Sequence, residues 1–242
     1  MILSFRDSLF SLLYPQQCRV CCSQVESHGD GVACAACWAS TRLFNGSEML
    51  CDKCGAYLGD RAAPIPVLCR KCDDHHYERA TAAGVYENAL AATIVSLKNT
   101  PTFTRRLRTT LSAAIKLNIV RDADLIIPIP LSAGRRIERG FNQADLIADA
   151  VSSLIGVPID SHSLARKVHT PIHRMGMDQK ARELSVKTAF EVVRPKLLAG
   201  KNILLVDDVL TSGATASSCA KALKKSGAGN VNVFTLARAV MH

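Results

Sequence analysis

Ile203-Leu204-Leu205-Val206-Asp207-Asp208-Val209-Leu210-Thr211-Ser212-Gly213-Ala214-Thr215 decides how this chain reads. Its first four residues are apolar, the pattern of a strand buried on both faces. Two carboxylates stand where that strand is expected to end. A Thr/Ser/Gly loop follows, and then a helix: Cys219, Ala222 and Leu223 share one face, and Gly227 caps its end. Amides and hydroxyls at a helix start attract a phosphate. Carboxylates at a strand end accept hydrogen bonds from sugar hydroxyls or hold a metal. Together these features describe a pocket for a phosphorylated ribose. A P-loop is excluded, because no lysine enters the helix. Gly227-Ala228-Gly229 leaves a helix and enters a strand, the reverse of a dinucleotide-binding turn.

The motif resembles the phosphoribosyl-pyrophosphate (PRPP) signature of type I phosphoribosyltransferases, acid-acid-x-x-Thr-Ser/Thr-Gly-x-Thr after an apolar strand. The resemblance implies that Asp207 and Asp208 bind the ribose hydroxyls. It implies that Thr211, Ser212, Gly213, Ala214 and Thr215 wrap the 5′-phosphate.

A second strand–loop–helix unit precedes it. Ile127-Pro128-Ile129-Pro130-Leu131 leads into Arg135-Arg136-Ile137-Glu138-Arg139-Gly140-Phe141-Asn142-Gln143-Ala144. Three arginines cluster there with one carboxylate, and guanidinium forks recognise phosphate oxygens. Loops after neighbouring parallel strands face one crevice. The arginine loop is therefore expected to hold a pyrophosphate beside the ribose-phosphate loop, with Arg135, Arg136 and Arg139 as its cations.

Ten cysteines are present. Eight form four Cys-x-x-Cys pairs: Cys18/Cys21, Cys34/Cys37, Cys51/Cys54 and Cys69/Cys72. Such spacing lets both thiolates of a knuckle point at one ion. Two structural zinc sites are expected, preferentially Cys18, Cys21, Cys34 and Cys37 for one, and Cys51, Cys54, Cys69 and Cys72 for the other. Interleaved pairing of the knuckles is the alternative, and Cys22 competes with Cys21 as a ligand. Disulfides, a redox motif and an iron–sulfur cluster are weaker readings of the same pattern. Zinc thiolates imply a reducing compartment, hence a cytoplasmic protein. Each zinc on four thiolates carries a net charge of −2, so two sites lower the formal charge from +9 to +5. The chain remains basic, but less attractive to nucleic acid than its composition suggests. Cys219 reads as a core thiol.

A length of 242 residues suits one or two domains, and 48% hydrophobic residues suffice for a core. No run approaches the roughly 20 apolar residues of a membrane span. Residues 1–14 are apolar but contain Arg6 and Asp7, without a basic leader or a small-residue cleavage site. They read as a short amphipathic helix docked on the protein, with a peripheral membrane helix as the alternative. Composition changes after Cys72. Residues 80–86 read as a strand, 87–97 as a helix, and Phe103, Leu107, Leu111 and Ile115 as one face of a second helix. Residues 124–129 read as a strand and 142–155 as a helix with Leu146, Ile147, Ala150, Val151 and Leu154 on one side. Residues 203–206 and 231–236 are the last strands. This alternation indicates an α/β fold with a parallel sheet flanked by helices. The expected division is an N-terminal helix over 1–17, a double zinc ribbon over 18–72 and a phosphoribosyltransferase-like domain over 80–242. Residues 162–187 are poorly patterned and rich in Arg, Lys and His, as functional or solvated loops are.

Four Cys-x-x-Cys pairs, Pro-Ile-Pro-Leu, Arg-Arg-x-x-Arg-Gly-Phe-Asn-Gln-Ala and the C-terminal motif together resemble the ComF family of competence-associated phosphoribosyltransferase-like proteins. The resemblance runs from about Cys18 onward. It implies a double zinc ribbon, a type I phosphoribosyltransferase domain binding PRPP with magnesium, and a role in DNA uptake during natural transformation. It adds Lys98 and Arg182 to the phosphate-binding candidates and proteins of the competence machinery to the expected partners. There are departures. Relatives' Phe-Lys-Tyr-x-Gly is Leu97-Lys98-Asn99-Thr100-Pro101 here, and Thr-Pro-x-Gln is Thr170-Pro171-Ile172-His173. Arg-x-x-Asn-Val becomes Arg182-Glu183-Leu184-Ser185-Val186.

Three functional readings result. The first is a transferase that breaks the bond between ribose C1 and pyrophosphate; no general base or acceptor site is legible, and the ribbons are a candidate hood over the acceptor. The second is a handler of single-stranded DNA, using Lys98, Arg105, Arg106 and Arg108, and Arg166, Lys167, Arg174, Lys180 and Arg182. Aromatics make up only 5% of residues, which argues against an extended base-stacking platform. The third is a PRPP-responsive regulator without chemistry.

Overall fold

The computed structural model describes residues 14–69, 72, 74–117, 122–166 and 189–240. The N-terminal amphipathic helix expected before Tyr14 and the basic stretch 167–188, with Arg182, lie outside these residues. In chain order the regular elements are α1 (Ala35–Ala39), β1 (Met49–Leu50), β2 (Tyr57–Gly59), β3 (Ala80–Val85), α2 (Asn88–Leu97), α3 (Arg105–Leu117), β4 (Leu125–Pro128), α4 (Ala133–Arg139), α5 (Gln143–Ile155), β5 (Leu164–Arg166), β6 (Phe190–Val192), β7 (Ile203–Leu210), α6 (Ala214–Lys225) and β8 (Val231–Arg238).

Four strands form one parallel sheet in the order β3-β8-β7-β4. Side chains alternate across it. Ile126, Leu204, Val206, Phe234 and Leu236 meet α2, α3 and α5 on one face. Leu125, Ile127, Ile203, Leu205, Val231 and Val233 meet Cys219 and Leu223 of α6 on the other. Burial on both faces is why β4 and the first half of β7 are uninterrupted apolar runs. The core stripe of α5 is Ala144, Ile147, Ala148 and Val151. Leu154, expected on that stripe, is 46% exposed; the i, i+3, i+4, i+7 series starting at Ala144 turns it outward.

β7 is longer than its apolar run. It continues through Asp207 and Asp208 to Leu210, because β8 keeps pairing with it: Asp207 faces Thr235, Val209 faces Ala237 and Leu210 faces Arg238. β4 stops earlier. Its last pair is Pro128 with Val206, and proline has no N–H to extend a ladder. Beyond Val206 one flank of β7 is therefore open, and the carboxylates stand on that open stretch.

The cysteine-rich segment is not a separate body. Cys18, Val25, Cys34, Cys37 and Trp38 share a cluster with Leu90, Ile94, Leu97, Leu107 and Leu111. Residue 43 bridges Gly84 on the outer edge of β3. A Cβ on Gly84 would lie 2.5 Å from the Arg42 carbonyl, so glycine is required for this approach. The contact also covers an edge that would otherwise be open to pairing. At the opposite edge, Ile159 bridges Ile126 of β4.

Candidate functional site

The open flank of β7 forms the floor of a crevice of about 150 Å³, lined by Lys98, Leu131, Arg135, Arg139, Gln143, Arg166, Asp207, Asp208 and Thr215 among others. Each element delivers a distinct group. Backbone amides fix the two carboxylates: Asp208 N–H donates to Asp207 Oδ1 at 2.8 Å, and Val209 N–H donates to Asp208 Oδ1 at 2.7 Å. Lys98, the residue that caps the end of α2, reaches Asp208 Oδ2 at 3.3 Å. Burial and the neighbouring Asp208 charge push Asp207 up to about 8, against the pull of Lys98. Asp207 therefore keeps its proton to a higher pH than an ordinary carboxylate.

The arginine loop is partly helical, as α4, and not an open loop throughout. Gly140 ends it in the left-handed conformation. Asn142 then caps α5: its Oδ1 accepts from Ala144 N–H at 3.2 Å while its Nδ2 donates to the Ile129 carbonyl at 3.1 Å. One amide side chain therefore ties the helix start to the end of β4. Arg139 donates to Gln143 Oε1 at 2.9 Å. Gln143 is 2% exposed and its Nε2 has no hydrogen-bond partner among the described residues. An unsatisfied buried donor costs about 1–3 kcal/mol, which a ligand oxygen beside it would offset.

Arg135 and Arg139 join Lys98 and the carboxylates around the crevice. Arg136 is not among its lining residues; its charge acts on Asp145, which burial raises and Arg136 lowers. Arg182 falls outside the described residues. Asn142, Gln143 and Arg166 were not singled out for this pocket from sequence. The first two closely follow the arginine cluster in sequence, and as uncharged amides they carry no phosphate-binding signal of their own. Arg166 reaches the pocket from β5 and packs over the Phe190 ring at 5.4 Å.

Thr211, Ser212, Ala214 and Thr215 are exposed, while Gly213 is buried. Gly213 is the N-cap of α6 at φ +79°. A Cβ there would lie 2.7 Å from His75 Nε2 and 2.8 Å from the Tyr77 hydroxyl. Gly213→Ala is expected to cost at least the roughly 1–2 kcal/mol of a left-handed non-glycine residue, read as a lower denaturant midpoint. An unchanged midpoint would mean that the loop tolerates a side chain at that turn.

Two thiolate clusters are formed by the cysteine-rich segment. In each, the ligand sulfurs lie within 4.8 Å of one another: Cys18, Cys21, Cys34 and Cys37, and Cys51, Cys54, Cys69 and Cys72. The knuckles pair sequentially, and Cys21 rather than Cys22 joins the first cluster. Sulfur–sulfur distances are 3.7 Å for Cys18–Cys37, 3.6 Å for Cys21–Cys34, 3.5 Å for Cys51–Cys72 and 3.5 Å for Cys54–Cys69. A zinc tetrahedron with bonds of about 2.3 Å has edges near 3.8 Å, so the clusters fit the ion. Amides already point at the sulfurs: Cys34 N–H lies 3.3 Å from Cys18 Sγ, and Cys69 N–H 3.2 Å from Cys51 Sγ. Burial opposes ionisation of Cys18, but these backbone donors outweigh it and hold the thiol at about 6.

Residues 9–74 match the double zinc ribbon domain family. The chain is 29% identical to competence protein F of Haemophilus influenzae, over 85% of this chain and 90% of that protein. The chain is thus similar along most of its length to competence-type proteins, and its first third matches the double zinc ribbon family. Its similarity to ComF-type proteins extends to the DNA utilization protein YhgH of Salmonella typhi, at 27% identity over 94% of this chain and 99% of that one. Competence protein ComFC of Bacillus subtilis is 33% identical over 47% of this chain and 44% of its own length. Among solved structures, glutamine PRPP amidotransferase of Bacillus subtilis aligns with 53% of the chain at 21% identity and a TM-score of 0.37. The aligned part is 25% of that enzyme. The double zinc ribbon match and the two four-cysteine clusters together support structural zinc. Among the described residues, no helix is long and apolar enough to cross a membrane.

Proposed function

We propose that the crevice binds PRPP and that the chain serves the uptake or use of DNA, a reading supported by relatives named competence protein F and DNA utilization protein. The observation that carries the ligand reading is the meeting of the Asp207–Asp208 pair, the start of α6 and three arginines around one cavity. Asp207 and Asp208 would take the ribose hydroxyls, and residues 211–215 the 5′-phosphate. Lys98, Arg135 and Arg139 would take the pyrophosphate, with Arg182 a further candidate. Magnesium bound with the ligand would neutralise charge on the pyrophosphate. The reading covers binding; transfer to an acceptor base would need a base-binding surface as well.

Calorimetric titration of the full chain with PRPP and magnesium tests this. Binding is expected, with ribose 5-phosphate much weaker because it leaves the arginine loop unused. Equal affinity for the two, or none for either, would defeat the assignment. Loss of PRPP on adding nucleobases distinguishes a transferase from a sensor.

The DNA reading draws less from α3 than the sequence suggests. Arg105 contacts Asp30 and Ser27, Arg106 lies over Trp38, and Arg108 lies over Phe103. These side chains already staple α3 to the first ribbon and to the loop before it. Single-stranded DNA binding, followed by fluorescence anisotropy, is expected to be weak. Its log–log salt slope should be about −0.7 per phosphate contact. If PRPP displaces the DNA, the crevice arginines serve both. Undetectable binding at low salt would remove direct DNA contact by the isolated chain.

A further inference from the structure

Arg238, the last residue of β8, is 5% exposed. All its reach is directed at two places. On one side Nε donates to the Cys54 carbonyl at 3.0 Å and Nη2 lies 3.7 Å from Cys54 Sγ. On the other, Nη1 donates to the Leu210 carbonyl at 2.9 Å and to the Thr211 carbonyl, and it also meets the Ala239 carbonyl at 3.0 Å. Cys54 is a ligand of the second thiolate cluster. Leu210 and Thr211 are the hinge between β7 and the loop before α6. One planar fork therefore spans from the metal site to the base of the candidate phosphate loop.

Charge makes this more than a packing contact. Among the described residues no carboxylate forms an ion pair with Arg238. A buried guanidinium without a counter-ion is costly. The nearest anionic group is the cluster itself, which carries a net negative charge when four thiolates hold zinc. The segment leaving the cluster completes the link: the His76 N–H donates to Ser217 Oγ of α6 at 3.0 Å.

We propose that Arg238 is a positioning residue that couples occupancy of the Cys51/Cys54/Cys69/Cys72 site to the geometry of the 211–215 loop. Its reading as control over ligand affinity rests on the PRPP assignment above; the coupling itself does not. Zinc at this site anchors the guanidinium, and the guanidinium holds the Leu210 and Thr211 carbonyls at the strand end from which the loop departs. Lysine would keep the charge but lose the fork that bridges carbonyls on both sides.

The test is amide exchange of the full-length chain. A limiting amount of chelator gives a one-zinc species, and unchanged emission from Trp38 shows that the first cluster is intact. In that species the amides of residues 211–215 are expected to exchange roughly tenfold to a hundredfold faster, the worth of one charge-assisted hydrogen bond. Those of residues 203–206 should be unaltered. Arg238→Lys, with both zincs bound, should show the same local acceleration. Acceleration shared equally by loop and strand, or absent from the loop, overturns the proposal. A second arm uses linkage, which is reciprocal. PRPP with magnesium should slow chelation of the second zinc and leave the first unaffected. Equal protection of both zincs overturns the coupling to ligand. A parent that does not bind PRPP defeats the ligand reading alone, and the exchange result still decides the coupling.

Discussion

Removing both zinc ions from the full-length chain is expected to abolish its cooperative fold, not merely to unravel the first 72 residues. Structural zinc contributes an apparent 10–16 kcal/mol or so in small zinc-binding peptides. A whole domain is typically stable by only about 5–15 kcal/mol. The decisive point is where the ribbons sit. The first cluster lies in the same apolar core as α2 and α3, with Trp38 2% exposed there and Arg106 over its ring at 5.4 Å. The second is tied to the end of β8 through Arg238. Unravelling either would expose the apolar faces of α2 and α3 or strand a buried guanidinium. Trp38 is the chain's one tryptophan, so its emission reports the first ribbon, and far-ultraviolet circular dichroism reports the helices. The two signals should be lost together on chelation. A Trp38 transition that leaves the helical signal intact would show that the ribbons unfold independently.

What could be read in advance depended on how local the determinant was. The two thiolate clusters were legible because each knuckle is written in four consecutive residues, and sequential pairing was the preferred order. Buried strands on both faces announce themselves as apolar runs, so β4 and the first half of β7 were visible. The second half of β7 was not. Asp207 and Asp208 look like loop residues, and only the partner strand β8, about two dozen residues later, keeps them in register. The site's cations were found as a cluster but not sorted, since which arginine faces the crevice depends on the phase of the short helix α4. Arg136 shows this: one residue from Arg135, it is not among the residues that line the crevice. Arg238 was missed altogether. A single arginine at the end of an apolar strand has no sequence signature, and its partners Cys54 and Thr211 come from distant parts of the chain. Gln143 was quoted within a motif, but its orphaned donor is a property of packing.

Asp207→Asn is expected to stabilise the ligand-free protein while weakening its affinity for PRPP with magnesium. Desolvation and the charge of Asp208 hold Asp207 at about 8, against an ordinary carboxylate value of 3.8. The folded chain therefore keeps a proton that the unfolded chain has released. Between about pH 4 and pH 8 the folded state binds more protons, so stability falls as pH rises through that window and levels off above it. Asparagine has the same shape and no charge to desolvate, and it leaves Asp208 to its pairing with Lys98 at 3.3 Å. The melting temperature of the variant should exceed that of the parent by a margin that widens up to about pH 8. Each kcal/mol relieved is worth roughly 2–4 °C in a chain of this size. Affinity should move the other way. A ligand that needs the ionised carboxylate must expel the shared proton, so parent affinity rises with pH through the same window. In the variant a charged acceptor is missing, which costs about tenfold to a hundredfold, and the pH dependence flattens. Melting curves and titrations at several pH values measure both effects. A variant less stable than the parent throughout would mean that Asp207 is a structural acceptor. One that binds PRPP as well as the parent would remove it from the ribose site.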